Sequence, residues 1–129
     1  MEGALTSGKK WASGTTRSSS VRKSFKYAGT TGTTSLSYIE ISLGFTPSTI
    51  RTYYWGGGPG SDEYVSIYST GGATYGGKTV KLAGYGQSTV SITKYTTNLA
   101  VDSNVSLGNN KFRIPVGNMD VDTYWVAYE

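Results

Sequence analysis

The chain has 129 residues with no cysteine and no histidine, which excludes disulfides, thiolate chemistry and the commonest general base. It is long enough for one domain, and its 18 glycines and 11 tyrosines beside only 16% charged residues disfavour helix and favour strands joined by tight turns. The net charge of +4 is uneven, since residues 1–27 hold six basic residues against Glu2 alone. No apolar run reaches the length of a membrane span, so no membrane association is predicted.

Apolar and polar residues alternate with a period of two along the chain, whereas the helical period of 3.6 is absent. Glycine-rich turn signals separate the alternating segments. The sequence therefore predicts an all-β fold, an antiparallel β-sandwich of about eight short strands in a single domain at 9–129, after a flexible start at 1–8. The predicted strands cover residues 20–27, 37–45, 47–55, 63–68, 78–83, 88–95, 111–116 and 123–128.

The alternation also predicts which side chains face the core. Pro115 has no amide hydrogen for a ladder, so its strand is expected to place that position at an edge or a bulge. The predicted inward residues are Val21, Phe25, Tyr27, Ile39, Ile41, Leu43, Phe45, Ile50, Tyr54, Val65, Ile67, Val80, Leu82, Val90, Ile92, Phe112, Ile114, Val116, Trp125 and Ala127.

Two motif matches are interpreted as accidental. Gly72 to Thr79 fits the P-loop pattern, but Gly84 and Gly86 interrupt the helix that must follow a phosphate cradle. The segment is therefore predicted to be a turn leading into a strand. Asn118, Asp120, Asp122 and Glu129 have calcium-loop spacing, yet Thr123 stands where that loop needs glycine, which indicates a polar turn.

No catalytic set is evident in the sequence. Asp62 and Glu63 are adjacent and would point to opposite sides of a strand, and the serines have no histidine base. We therefore expect no enzyme activity, no cofactor and no bound metal. A threonine or lysine nucleophile is not selected by any pattern.

The richest local feature is the aromatic and glycine-rich stretch at 51–77. Tyr53, Trp55, Tyr64 and Tyr68 are expected at outward or rim positions, where aromatic rings stack on sugars or anchor a protein interface. Cross-strand aromatic pairing, which stabilises a sheet without any ligand, is an equally good interpretation. The four residues are therefore a candidate glycan or interface platform.

The basic N-terminal segment is a second candidate site. Lys9, Lys10 and Arg17 are candidates for docking on nucleic acid, an anionic wall polymer or an acidic partner. The alternative is that the basic residues are solvent-facing positions of two strands. No nucleic-acid-binding motif accompanies the charge, so nucleic acid is not a predicted partner.

Three segments resemble known proteins: "KKWASGT", "LGFTPSTI", and "GNNKFRIPV" followed by "YWVAYE". They look like small β-sandwich modules of bacteriophage virion proteins, chiefly tail-fibre and tail-tip proteins of phages that infect Gram-positive bacteria. The aromatic-Trp-x-Ala ending is also similar to the H-type lectin fold, a trimeric sandwich that binds sugars. Phe45, Pro47, Phe112 and Trp125 carry most of the resemblance, which extends over residues 9–129.

The resemblance implies a virion structural protein, assembled in the host cytoplasm. A tail or fibre module for host-surface attachment is expected first, as a homotrimer in contact with other virion proteins and a host cell-wall glycan. A capsid decoration protein, docked through its basic segment, is the first alternative. A stand-alone cell-wall carbohydrate-binding module is the second.

Overall fold

The described residues of the protein form a two-layered β-sandwich of ten strands. The structure is a computed structural model that describes residues 9–55, 62–71, 77–86 and 93–129. The described residues contain no α-helix, which confirms the all-β prediction. The strands are β1 (Trp11–Arg17), β2 (Lys23–Lys26), β3 (Thr33–Ser42), β4 (Thr49–Trp55), β5 (Asp62–Ser69), β6 (Thr79–Gly86), β7 (Thr93–Ala100), β8 (Ser106–Gly108), β9 (Lys111–Val116) and β10 (Asp122–Tyr128).

Two antiparallel sheets make up the sandwich. The large sheet has six strands in the order β1-β10-β4-β5-β6-β7, and the small sheet has four in the order β2-β3-β9-β8. A bridge between Tyr27 and Leu99 joins β2 of the small sheet to β7 of the large one. Among the described residues, no helix has the length and hydrophobicity needed to cross a lipid bilayer.

The core lies between the inner faces of the two sheets. It is built mainly from aliphatic and phenylalanine side chains, because these bury apolar area without leaving polar atoms unbonded. The predictions for β3, β6 and β9 are confirmed, since every residue expected inward on these strands is buried. The core cluster consists of Phe25, Ile39, Ile41, Leu43, Phe45, Ile50, Tyr68, Val80, Leu99, Val105, Phe112, Ile114 and Ala127.

An ionic network fastens β3 and β9 of the small sheet to the turn before β8. The Arg113 guanidinium donates to Glu40 Oε2 through Nε at 3.0 Å and to Asn104 Oδ1 through Nη1 at 2.6 Å. Its carbon atom Cζ lies 5.2 Å from the centre of the Tyr38 ring, a cation–π distance. The Arg113 side chain is only 16% exposed, so water solvates its charge poorly and the carboxylate of Glu40 compensates it instead.

Pro115 lies where the sequence predicted it, at an edge. Strand β8 pairs with β9 only at Lys111 and Phe112, so position 115 has a ladder partner on the β3 side, Tyr38, and none on β8. The Pro115 carbonyl accepts a hydrogen bond of 2.6 Å from Ser66 of the large sheet. A residue without an amide hydrogen therefore links the two layers through its oxygen.

The prediction for β5 has the wrong phase. Tyr68, which was expected outward, is 3% exposed and stands opposite Ile50 on the inner face. Ile67, which was expected inward, is half-buried on the outer face. Val65 is buried on that outer face, where it pairs with Tyr53 and Ala83.

Other differences are local. Val21 was expected in the core but is exposed, because the chain reaches β2 only at residue 23. The sequence missed β1 and β8, which have few apolar residues to alternate. Strand β7 begins at residue 93, so the predicted inward positions Val90 and Ile92 lie outside the described residues.

Candidate binding face

The outer face of the large sheet carries an aromatic cluster on β1, β10 and β4. Its position follows from the alternation of the strands: Ile50 of β4 and Ala127 of β10 are fully buried on the inner face, so their chain neighbours point outward. We name this cluster the aromatic face, and its members are Trp11, Tyr53, Tyr124 and Tyr128.

The strand register brings these side chains side by side. Tyr124 of β10 is the ladder partner of Tyr53 on β4, and Tyr128 is the partner of Trp11 on β1. Directly opposed residues have Cβ atoms about 4.5–5.5 Å apart, so each pair forms a contiguous aromatic surface. Trp11, Tyr124 and Tyr128 are 66%, 58% and 48% exposed, and they are three of the four large hydrophobic residues exposed in the described chain.

A depression lies at the Tyr53–Tyr124 pair of this surface. It has a volume of about 310 Å³ and is lined by Arg51, Tyr53, Tyr124, Trp125 and Val126. Its mouth is wide, and its lining is mostly apolar, with the guanidinium of Arg51 as the charged group. Arg51 is exposed, and no carboxylate among the described residues forms an ion pair with it.

The chemistry of the depression suits a flat, hydroxyl-rich ligand. Tyrosine rings offer an apolar face for the C–H groups of a sugar ring and a hydroxyl for a hydrogen bond, at low entropic cost. Arg51 adds donors in a planar fork, which match carboxylate and phosphate oxygens. The depression therefore offers a ligand aromatic rings for stacking and a guanidinium for hydrogen bonds.

The four residues of the predicted platform do not share one face. Tyr53 belongs to the aromatic face, whereas Tyr64 points to the inner side, where its ring stacks on Tyr54 with centroids 4.9 Å apart and planes 13° apart. The Tyr54–Tyr64 pair is cross-strand packing, which was the alternative interpretation. Trp55 ends β4, and its side chain lies outside the described part of the chain.

Tyr68 is a core residue, so its assignment to the platform was wrong. Its ring packs against Phe112 of the small sheet, with centroids 5.2 Å apart and planes tilted by 56°. Burial raises the pKa of the Tyr68 hydroxyl, since loss of water disfavours the phenolate. A side chain enclosed between the sheets has no surface to offer a ligand.

The basic candidates are exposed but do not form one patch. Lys10 precedes β1 and Arg17 ends it, which places them about 23 Å apart at a rise of about 3.3 Å per residue. Arg17 forms an ion pair of 3.3 Å with Asp122, and the carboxylate of Glu129 accepts a bond from the Lys10 amide. Lys9, Lys10 and Arg17 are solvent-facing, which agrees with the simpler interpretation.

The motif matches also have structural explanations. Thr79 opens β6 directly after Lys78, as the predicted turn-to-strand transition requires, whereas 72–76 lie outside the described residues. Asp120 has a φ of 56° in the turn before β10, and Asp122 pairs with Arg17. Among the residues that the structure describes, no three acidic side chains converge on one point that would hold a metal ion.

Sequence reasoning missed three members of the aromatic face. Tyr124 and Tyr128 had a usable signal, because they flank the inward residues Trp125 and Ala127 and must therefore point outward. Trp11 had none, since β1 has no aliphatic alternation that would identify a strand.

The comparisons with known proteins add no further guide to function. No protein-family model matches the chain, and no curated protein or solved structure is significantly similar to it. The aromatic face and its depression are therefore the main structural guide to function.

Proposed function

We propose that the protein is a structural module of a bacteriophage virion, of the tail or fibre type, that attaches to the host surface through its aromatic face. The observation that carries this proposal is the depression itself, which the ladder pair Tyr53 and Tyr124 lines together with Arg51. Exposed apolar patches that are rimmed by polar residues commonly mark interaction sites or ligand-binding grooves.

The resemblance of three sequence segments to phage sandwich modules supports the same class. Phe45, Pro47 and Phe112 of these segments are buried, so the shared residues are ones that maintain a sandwich. Because a fold does not determine a function, the support for attachment comes from the aromatic face rather than from these core positions.

A cell-wall glycan is the proposed ligand of the depression. A pair of aromatic rings contributes about 0.5–1.5 kcal/mol beyond the area that it buries, and we expect a sugar ring on a tyrosine to contribute no more. Such a contact is weak alone, but a virion displays many copies of its fibre and tail proteins. Passive, repeated binding of this kind needs no catalytic group.

The test is binding of the purified chain to cell walls from a panel of Gram-positive bacteria. The double variant Tyr53→Ala/Tyr124→Ala removes both rings of one ladder pair, and we expect wall affinity to fall at least about tenfold, which corresponds to 1.4 kcal/mol. The matched control is Val21→Ala, an exposed apolar residue outside the aromatic face. Equal melting temperatures would show that both variants are folded.

Charge reversal separates attachment from capsid decoration. The variant Lys9→Glu/Lys10→Glu should leave wall binding within about twofold of the unaltered chain, because these residues lie outside the depression. If the charge reversal abolishes association with phage particles while the tyrosine variant keeps it, the proposal is wrong and a decoration role is favoured.

A further inference from the structure

Strand β1 is an edge of the large sheet, and no strand of the described residues pairs with its outer side. The amide of Glu129 donates to the Lys10 carbonyl and the amide of Ser18 donates to the Val121 carbonyl, each at 2.9 Å. Even-numbered residues from 10 to 18 therefore direct their backbone groups toward β10. The backbone N–H and C=O groups of residues 11, 13, 15 and 17 point away from the sheet, and no described residue is bonded to them.

This edge lacks most of the usual protections against pairing, and its charged residues Lys9, Lys10 and Arg17 lie only at its ends. Its ladder with β10 runs through seven consecutive residues without a bulge, and it contains neither proline nor an inward-facing charge. Natural proteins normally shield such an edge, because it is a template for another strand. The edge ends at Arg17. Beyond this residue the chain turns toward β3, where the Ser19 amide donates to the Tyr38 carbonyl at 2.8 Å.

We propose that β1 pairs with β1 of a second copy of this chain, antiparallel about a twofold axis at Gly14. The outward direction of the backbone groups of residues 11, 13, 15 and 17 limits the possible registers, because each hydrogen-bonded pair must join two odd-numbered residues. With the axis at Gly14, Trp11 pairs with Arg17 of the second copy, Ser13 pairs with its Thr15, and all seven residues are used.

Charge decides between this register and its neighbours. Moving the axis to residue 13 would set Arg17 opposite Lys9 of the other copy, and like charges directly opposed on one face destabilise a sheet. Moving it to residue 15 would leave Trp11 beyond the paired segment, opposite Ser19. With the axis at Gly14, the Arg17 guanidinium instead covers the indole of Trp11, a cation–π pair on the outer face.

On the inner face of the sheet, the residues at the axis also leave room for the second copy. Gly14 would form a pair without hydrogen bonds, in which the two Cα atoms approach to about 4.5 Å. The Trp125 indole of each chain lies directly over Gly14, with its Cζ2 atom 2.8 Å from where a Cβ would stand. Because neither glycine carries a side chain, both indoles keep their places beside the axis.

The test is the mass of the full chain in solution, measured by sedimentation or by light scattering. We expect a dimer in the unaltered protein and a monomer in Ser13→Pro, since proline at position 13 removes an outward N–H without breaking a bond to β10. The matched control Ser13→Ala keeps the N–H and should stay dimeric. A monomeric or trimeric unaltered chain, or a folded Ser13→Pro that remains dimeric, overturns the proposal.

A charge pair tests the register even if the proline variant does not fold. Ser13→Lys/Thr15→Lys would set like charges opposite each other across the axis, whereas Ser13→Lys/Thr15→Glu would set opposite charges there. We expect the first double variant to be monomeric and the second to be dimeric at low salt. Equal masses for both would contradict the Gly14 register. The result does not depend on the proposed ligand, because β1 pairing and wall binding are measured separately.

Discussion

At the residue scale, Gly14 is required by the side chain that lies against it. The Trp125 indole crosses the inner side of β1 and donates through Nε1 to the Thr16 hydroxyl at 3.1 Å. The ring occupies the space that a side chain at position 14 would need. Glycine usually weakens a strand interior, and here it marks a close approach of a bulky neighbour.

Gly14→Ala should therefore destabilise the fold although alanine is the better strand residue. A Cβ placed 2.8 Å from Trp125 Cζ2 forces the indole or the strand to move, and such overpacking costs about 1–3 kcal/mol. The measurement is the free energy of unfolding in urea. In the background of Trp125→Phe, whose ring lacks Cζ2, the same substitution should cost less, and an equal cost in both backgrounds would contradict the contact.

At the scale of elements, the strands differ in how well the sequence predicts them. Strands β3, β6 and β9 alternate aliphatic residues with polar ones, so only one face is able to join the core. Strand β5 has apolar side chains on both of its faces. Because Ser66 at its centre is polar, the alternation indicated that Ser66 faces solvent and that Val65 and Ile67 face the core, which is wrong. Ser66 is buried because its polar atoms are bonded: the hydroxyl donates to the Pro115 carbonyl and the amide donates to Thr52 Oγ1.

The same ambiguity explains why the binding site was predicted only in part. Tyrosine suits a core, a cross-strand pair and an exposed platform equally well, so composition does not separate Tyr53 from Tyr68. The register does, because Ile50 is fully buried and its ladder partner Tyr68 must share its face. Register depends on contacts between distant segments, which a single sequence does not display.

Two substitutions on β5 test its phase. Tyr68→Ala should cost about 3–5 kcal/mol of stability, the range for removing a large aromatic side chain from a core, because its contact with Phe112 is lost. Ile67→Ala, one residue away on the outer face, should cost clearly less. Thermal unfolding of both variants measures the difference, and a larger loss for Ile67→Ala would restore the phase that the sequence indicated.

At the scale of the whole molecule, the sandwich follows from the sequence but its open edge does not. Period-two alternation and glycine turns were enough to predict two packed sheets. Which strand lies at an edge is a property of topology, and β1 reaches that place by pairing with β10 from the other end of the chain. The surface available for assembly is therefore visible only once the strand order is known.

If β1 joins two copies, the stability of the molecule must depend on its concentration. Only the folded chain dimerises, so mass action stabilises it by about 0.7 kcal/mol per chain for each tenfold rise in concentration above the dissociation constant. With an unfolding entropy of about 2.1 cal/mol/K per residue, 129 residues convert this into a rise in melting temperature of about 2–3 °C. Ser13→Pro should abolish this dependence while Ser13→Ala keeps it. The unaltered chain can be diluted a hundredfold from its highest soluble concentration. A melting temperature that stays constant over this range would contradict assembly through β1, because the β1 pairing is the only contact in the proposal that links folding to a second copy.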